Sequence, residues 1–74
     1  MKRQVYLYQN NTKLAIKPVQ AGAKAPASTV MDRFIEQNFP TLAFLREKDE
    51  WGVHATCVEC DLRLFAGNPM REKV

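Results

Sequence analysis

The N-terminal part of the chain alternates between apolar positions and polar or aromatic ones. Residues 4–8 read Gln-Val-Tyr-Leu-Tyr, which is typical of a strand with one buried face. Turn-forming residues follow at 9–12, and residues 14–19 form a second strand-like run. Pro18 indicates that this second strand lies at a sheet edge or ends there. The pattern predicts a β-hairpin whose inward-facing side chains are Val5, Leu7, Leu14 and Ile16.

A helical pattern begins after an alanine-rich loop. Residues 20–28 lack apolar periodicity, whereas residues 30–39 place apolar side chains at spacings of three and four, opposite charged ones. Thr29 followed by Asp32 matches a capping box, and Ser28 is an alternative N-cap, so we expect the helix to start here. Pro40 is expected to end it. The stripe that should pack into the core consists of Val30, Met31, Phe34, Ile35 and Phe39.

Three further strands are predicted after the helix. Residues 41–46 and 51–58 read as an antiparallel pair around a charged turn at 47–50. Residues 62–66 read as a short fifth strand after a tight turn at 59–61, and the polar residues 70–74 are expected to be a frayed end. The order ββαβββ predicts an α+β fold. It would be a single domain spanning 1–74, with one helix packed on one face of a mostly antiparallel sheet.

Size and composition are those of one small globular domain. The 74 residues are 46% hydrophobic, which is above the range of disordered chains. No stretch of about 18 apolar residues could span a bilayer, and the N-terminus lacks a signal-peptide pattern. Two cysteines are too few for a secreted disulfide framework. These features predict a cytoplasmic protein without a membrane partner.

Positive charge is concentrated in the N-terminal part of the chain. The first acidic residue is Asp32, so residues 1–31 carry a net charge of +5 and residues 32–74 carry −2. A basic segment without acids favours an acidic partner, either nucleic acid or a protein surface. Basic residues interleaved with tyrosines suit stacking on bases and also suit a protein interface, although a solvated sheet face shows the same pattern. The candidate partner-binding residues, expected on one face, are Lys2, Arg3, Tyr6, Tyr8, Lys13 and Lys17.

The spacing His54-x-x-Cys57-x-x-Cys60 is the one pattern that could support chemistry, because imidazole and thiolate groups are preferred zinc ligands. A closed zinc site would need a fourth ligand from Glu59, Asp61, water or a second subunit. On a straight strand, Cys57 and Cys60 would point to opposite faces, so a metal site requires a turn at residue 59 or 60. His54 and Cys57 are also an odd number of residues apart, which argues against a catalytic dyad. We interpret the cysteines as structural and predict no metal ligands, with a minor zinc site as the alternative.

The chain has none of the patterns expected of an enzyme. It contains no glycine-rich phosphate loop, no Gly-x-Ser-x-Gly motif and no paired carboxylates in a plausible pocket. A chain of this length rarely encloses an active site. We therefore expect a binding protein that is not an enzyme and has neither a cofactor nor a small-molecule substrate.

In its size, in the run VYLYQNNTKL at residues 5–14 and in its hairpin-helix-hairpin plan, the chain resembles small phage-encoded proteins that bind host RNA polymerase. The resemblance implies a stoichiometric partner of the bacterial transcription machinery, which blocks initiation or causes antitermination. The leading hypothesis is thus a small regulatory protein that binds a larger protein, with bacterial RNA polymerase as the implied partner. The alternative is a protein that binds RNA or single-stranded DNA through the same basic face.

Overall fold

The computed structural model describes residues 2–67. The elements follow the predicted order ββαβββ, which confirms the α+β class. The strands are β1 (Lys2–Gln9), β2 (Thr12–Gln20), β3 (Phe44–Asp49), β4 (Gly52–Cys57) and β5 (Leu62–Gly67), and the helix α1 spans Ala27–Asn38. The frayed end predicted at 70–74 lies outside the described residues.

All five strands belong to one antiparallel sheet with the order β2-β1-β5-β4-β3. The last strand pairs with the first, so β5 lies at the centre and joins the two hairpins, while β2 and β3 are the edges. Helix α1 packs on one face and contacts β1, β2, β4 and β5. No other element of residues 2–67 covers the opposite face, which we call the open face.

The core lies between α1 and the sheet. Four residues of the predicted stripe, Val30, Met31, Phe34 and Ile35, are buried, and Phe39 packs partly buried against them. The amphipathic pattern of the helix is therefore confirmed. The strands contribute the inward-facing residues Val5, Leu7, Val19, Val53, Ala55, Leu64 and Ala66.

The first hairpin turns at Asn10 and Asn11, which both have positive φ angles, 51° and 65°. Two consecutive residues in this conformation form a turn that matches the twist of the flanking strands, and asparagine tolerates it better than most residues. Below the turn the register shifts, because Leu7 pairs with Ala15 whereas Tyr8 pairs with Lys13. Leu14 is therefore the extra residue of a β-bulge.

The bulge makes the predicted orientation of β2 wrong. An inserted residue reverses the inside-outside alternation on one side of it, since the side-chain period of a strand is two. Ile16 consequently pairs with Tyr6 on the open face. Leu14 is 55% exposed and Ile16 is 43% exposed, although the sequence pattern predicted both to face inward. Val19 is the buried apolar residue of this strand.

Strand β3 is shifted by three residues from the predicted 41–46, so residues 41–43 are not strand, and the turn after it contains Glu50 and Trp51. Oδ1 of Asp49 accepts hydrogen bonds from the backbone N–H of Trp51, at 2.8 Å, and of Gly52, at 2.9 Å. Gly52 has a φ of 152°, and a Cβ atom there would overlap the carbonyl oxygen of Ala66. The charged residues 47–49, predicted to be a turn, are therefore strand because Asp49 and Gly52 fix a tighter turn after them.

Helix α1 begins before the predicted capping box. Pro26 is the N-cap residue, with no side-chain cap, so Ser28 and Thr29 lie in the first turn. The carbonyl oxygen of Pro26 accepts hydrogen bonds from the N–H groups of Thr29 and Val30. The predicted cap is thus wrong, whereas the end at Asn38 agrees with the break expected from Pro40. Within residues 2–67, no helix has the length and apolar character needed to cross a membrane.

Candidate functional site on the open face

Strand pairing brings three rings side by side across the centre of the open face. Tyr6 on β1 pairs with Phe65 on β5, and Phe65 pairs with His54 on β4. The ring centroids are 6.2 Å apart for Tyr6 and Phe65 and 4.7 Å apart for Phe65 and His54. We call these three side chains the ring row. On the edge strands, Ile16 continues the row beyond Tyr6, and Glu47 continues it beyond His54.

Cations lie on both sides of the ring row near its Tyr6 end, with Lys13 and Arg63 on one side and Lys2 on the other. Lys13 pairs with Tyr8, and Tyr8 pairs with Arg63, so all three are on the open face next to the rings. Nη2 of Arg63 donates a hydrogen bond of 2.7 Å to Oδ1 of Asn11, which holds the guanidinium near the β1–β2 turn. Lys2 occupies the same face at the start of β1. Positive charge is therefore concentrated on the β2-β1-β5 side of the open face.

The opposite side of the open face carries an ordered His–Asp pair. Oδ2 of Asp49 lies 2.9 Å from Nε2 of His54. Desolvation by itself would raise the pKa of the Asp49 carboxyl. Hydrogen bonds outweigh this effect and hold its pKa below the usual 3.8. The carboxyl accepts them from the Trp51 backbone, from His54 and from the Gly52 backbone, and the attraction to His54 lowers the pKa further. Asp49 thus fixes both the turn and the orientation of the His54 ring.

An open depression of about 770 Å³ lies over this part of the sheet. Trp51 forms one of its walls and is 56% exposed, which is high for so large an apolar side chain. The side chains of Phe65, His54 and Arg63 also line it. A depression with this lining suits a flat ligand that stacks on rings and carries polar groups at its edge.

Four of the six candidate partner-binding residues lie on the open face: Lys2, Tyr6, Tyr8 and Lys13. The predicted placement of Lys17 is wrong, because the bulge at Leu14 reverses the alternation. Lys17 pairs with Val5 and so belongs to the helix side of the sheet, although it is exposed at the edge.

The predicted placement of Arg3 is also wrong. Arg3 is only 4% exposed and lies on the helix side, because the alternation that buries Val5 also buries the residue two positions before it. Its guanidinium donates hydrogen bonds to the carbonyl oxygens of Gly22, at 3.2 Å, Ala25, at 2.9 Å, and Gly67, at 3.1 Å. These contacts give Arg3 a structural role and remove it from the candidate surface.

Half of the candidate surface was missed by sequence reasoning. Phe65 and Arg63 alternate with the inward-facing Leu64 and Ala66, so a strand pattern was present in the sequence to place them outward. The position of β5 between β1 and β4 brings Phe65 between Tyr6 and His54, and no local sequence pattern predicts this strand order. The ring row is a product of topology.

Cys57 and Cys60 form a disulfide bond across the β4–β5 turn, with their Cα atoms 5.4 Å apart. Cys57 is buried on the helix side, where it pairs with Phe44, whereas His54 lies on the open face. The three groups of the His-x-x-Cys-x-x-Cys pattern therefore do not converge. In the part of the chain that the structure describes, no group of three or more His, Cys, Asp or Glu side chains could hold a metal ion.

The open face thus combines a platform of rings, cations on the β2-β1-β5 side, and an ordered carboxylate–imidazole pair with an exposed tryptophan on the opposite side. This combination suits a ligand that presents flat rings and negative charge together. No protein-family model matches the chain, and comparisons with curated proteins and with solved structures found no match either.

Proposed function

We propose that the protein is a small non-enzymatic binding protein that holds single-stranded RNA or DNA on its open face. The observation that carries the proposal is the ring row of Tyr6, Phe65 and His54 across three adjacent strands. Lys13 and Arg63 lie next to it. Stacking of a base on an aromatic side chain contributes about 1–3 kcal/mol, and sheets that bind RNA in this way stack two or three bases.

An open sheet face suits unpaired bases better than a duplex. The bases of a single strand can turn towards the protein and stack on rings, whereas those of a double helix are already stacked on each other. The ring centroids lie 4.7 and 6.2 Å apart and the neighbouring ring planes are tilted by 43° and 47°, so the three rings form one continuous, uneven surface. Such a platform favours stacking contacts, which tolerate different bases, as the main source of affinity.

The charges on the open face indicate how the strand would lie. Lys2, Lys13 and Arg63 lie on the β2-β1-β5 side, whereas Glu47 and Asp49 are on β3. We therefore expect the phosphates to follow the cationic side and the bases to point across the ring row. Three phosphate contacts predict that log K falls with log salt with a slope of about −2, a moderate electrostatic contribution.

Two lysines of β2 provide a matched test of this surface. Lys13→Glu reverses a charge on the open face, and Lys17→Glu makes the same change on the same strand but on the helix side. Binding to labelled dT12 and rU12 would be measured by fluorescence anisotropy at low salt, with urea unfolding to confirm the fold. We expect Lys13→Glu to weaken binding about tenfold and Lys17→Glu about twofold at most, because the second change is screened and faces away.

A stacking test complements the charge test. Tyr6→Ala should weaken binding of the same oligonucleotides by about 1–3 kcal/mol, since it removes one ring of the platform. Equal losses of affinity for Lys13→Glu and Lys17→Glu, or no loss of affinity for Tyr6→Ala, would show that the binding site is not on the open face. Absence of binding to either oligonucleotide at low salt would contradict the proposed function itself.

We propose the cytoplasm as the compartment in which the protein acts. The Cys57–Cys60 bond is the feature that speaks against this, because cytosolic thiols are normally kept reduced. The bond closes only the turn between β4 and β5, and although Cys57 is buried on the helix side, neither cysteine belongs to the ring row. Alkylation of thiols in intact cells, followed by mass spectrometry, tests the proposal. Alkylated Cys57 and Cys60 would support a cytoplasmic protein, and a disulfide-bonded pair that escapes alkylation would support an oxidising compartment.

A second candidate function is regulation of bacterial RNA polymerase by direct binding. The observation that favours it is the edge strand β2, where Leu14 is 55% and Ile16 is 43% exposed. An exposed edge can accept a strand of a partner, with apolar side chains adding specificity. The same strand also has features that argue against docking of a partner strand, because charged residues and proline at an edge discourage strand pairing. These residues are Lys13, Lys17 and Pro18.

Purified RNA polymerase separates the two candidates. Labelled protein would be titrated with nuclease-treated core enzyme, alongside the Ile16→Asp variant. Binding that withstands nuclease treatment and is lost in Ile16→Asp would support the polymerase as partner. Binding that requires nucleic acid would support the proposed function.

A further inference from the structure

Glu47 is a carboxylate available for a ligand at the end of the ring row. It pairs directly with His54 on the open face and is exposed, and its side chain has no hydrogen bond or ion pair within residues 2–67. Asp49, two residues further along β3, uses both of its oxygens for the turn and for His54. Glu47 therefore differs from its neighbour in having both carboxylate oxygens free to accept hydrogen bonds.

The surface beside Glu47 is already ordered for stacking. Asp49 holds His54 by a 2.9 Å contact, and the His54 ring packs 4.7 Å from Phe65. Cross-strand neighbours have Cβ atoms about 4.5–5.5 Å apart, so a base stacked over His54 brings its edge within reach of the Glu47 side chain. Trp51 and Glu47 line the same depression.

The four bases differ in what they offer to a carboxylate. Guanine presents two adjacent donors, N1–H and the 2-amino group, which match the two oxygens of a carboxylate in a bidentate pair. Cytosine and adenine each offer one amino group next to a ring acceptor. Thymine and uracil offer one N–H between two carbonyl oxygens, which a carboxylate repels. A free carboxylate beside a stacking surface therefore favours guanine.

We propose that the open face contains a guanine subsite in which the base stacks on His54 and Glu47 accepts its N1–H and 2-amino hydrogens. This inference rests on the proposed function and adds base selectivity to it. Glu47 is the residue that determines specificity, and the ring row supplies affinity for any base.

The test uses the full chain and three labelled nonamers: oligothymidylate and the same strand with a central dG or a central deoxyinosine, which lacks the 2-amino group. We expect the dG strand to bind about tenfold more tightly than oligothymidylate, the discrimination of one bidentate pair, with deoxyinosine in between. Glu47→Gln should abolish the preference while keeping binding to oligothymidylate. Glu36→Gln, which removes the same charge from an exposed position on α1, should keep the preference.

Trp51 supplies an independent readout, because it is the one tryptophan of the sequence and lines the depression. A base seated there should quench its fluorescence more with the dG strand than with oligothymidylate. Three results would each overturn the guanine subsite and leave the proposed function standing. They are equal affinities for the dG strand and oligothymidylate, a dG strand that binds no better than the deoxyinosine strand, and a preference for dG that persists in Glu47→Gln. Failure to bind any of the strands would overturn both.

Discussion

Arg3 and Gly67 are linked by a hydrogen bond of 3.1 Å from Nη2 to the carbonyl oxygen, which ties the first strand to the end of the last one. The same guanidinium donates to the carbonyl oxygens of Gly22 and Ala25 in the loop before α1. One side chain therefore connects three segments that are distant in the sequence. Its planar arrangement of several donors makes this possible, because a lysine has a single donor nitrogen.

Arg3→Met should destabilise the fold. Methionine preserves much of the apolar volume but donates no hydrogen bonds, so the carbonyl groups of the loop and of β5 lose their charged donor. We expect the free energy of unfolding to fall by about 3 kcal/mol, measured by urea denaturation. Lys13→Met, an exposed position on β2, is the control and should change it by less than about 0.5 kcal/mol. Equal stabilities of the two variants would show that the contacts of Arg3 make no net contribution to the free energy of unfolding.

Two glycines provide a second comparison. Gly52→Ala places a Cβ atom against the carbonyl oxygen of Ala66 at a φ of 152°, so we expect a loss of about 2–3 kcal/mol in the free energy of unfolding. At Gly22, the nearest atom to an added Cβ is 4.0 Å away. Gly22→Ala should therefore be neutral or stabilise the protein by up to about 1 kcal/mol, because alanine restricts the unfolded chain. Thermal unfolding of both variants checks the prediction, and a Gly52→Ala variant as stable as Gly22→Ala would contradict it.

The sequence predicted the number, type and order of the elements because their periodicities are local. The stripe from Val30 to Ile35 has helical spacing and became the buried side of α1, and the strict alternation around Val5 and Leu7 placed β1 correctly. The same alternation would also have placed Arg3 inside, had it been applied to a charged residue. A buried arginine contradicts the usual preference of charged side chains for solvent, and only its carbonyl partners explain it.

What the sequence could not predict depended on single insertions and on topology. The bulge at Leu14 changes the face of Ile16 and Lys17, and no residue type announces it, since a leucine fits either face of a half-buried strand. The ring row depends on β5 lying between β1 and β4, which is a choice among sheet orders that local patterns leave open. The candidate site was therefore only half predicted. Tyr6 and Tyr8 of β1 and Lys13 of β2 could be inferred, whereas Ile16 was expected on the wrong face and the residues of β4 and β5 could not be brought to the others.

The disulfide bond should make a modest contribution to stability. It joins residues with a sequence separation of only 3, and a short closed loop restricts the unfolded chain little. A reductant such as TCEP should lower the free energy of unfolding by about 2 kcal/mol, measured by urea denaturation. The double variant Cys57→Ala/Cys60→Ala should not respond to the reductant. Oligonucleotide binding should be retained after reduction, and its loss would connect the bond to the open face.

The Asp49 carboxyl should make stability depend on pH in the acidic range. Its pKa in the folded protein lies below the usual 3.8, so the folded protein binds this proton less tightly than the unfolded chain does. The stability that Asp49 contributes is therefore fully present well above pH 3.8 and is lost as the pH falls through the folded pKa.

In Asp49→Asn this contribution is absent, although the side-chain oxygen that caps the turn remains. The difference in free energy of unfolding between wild type and Asp49→Asn should thus be largest near neutral pH and shrink on acidification. Asp61→Asn, at an exposed turn position, corrects for the loss of one negative charge. A difference that stays constant from pH 7 to pH 2.5 would show that the hydrogen bonds to Asp49 do not favour its charged form.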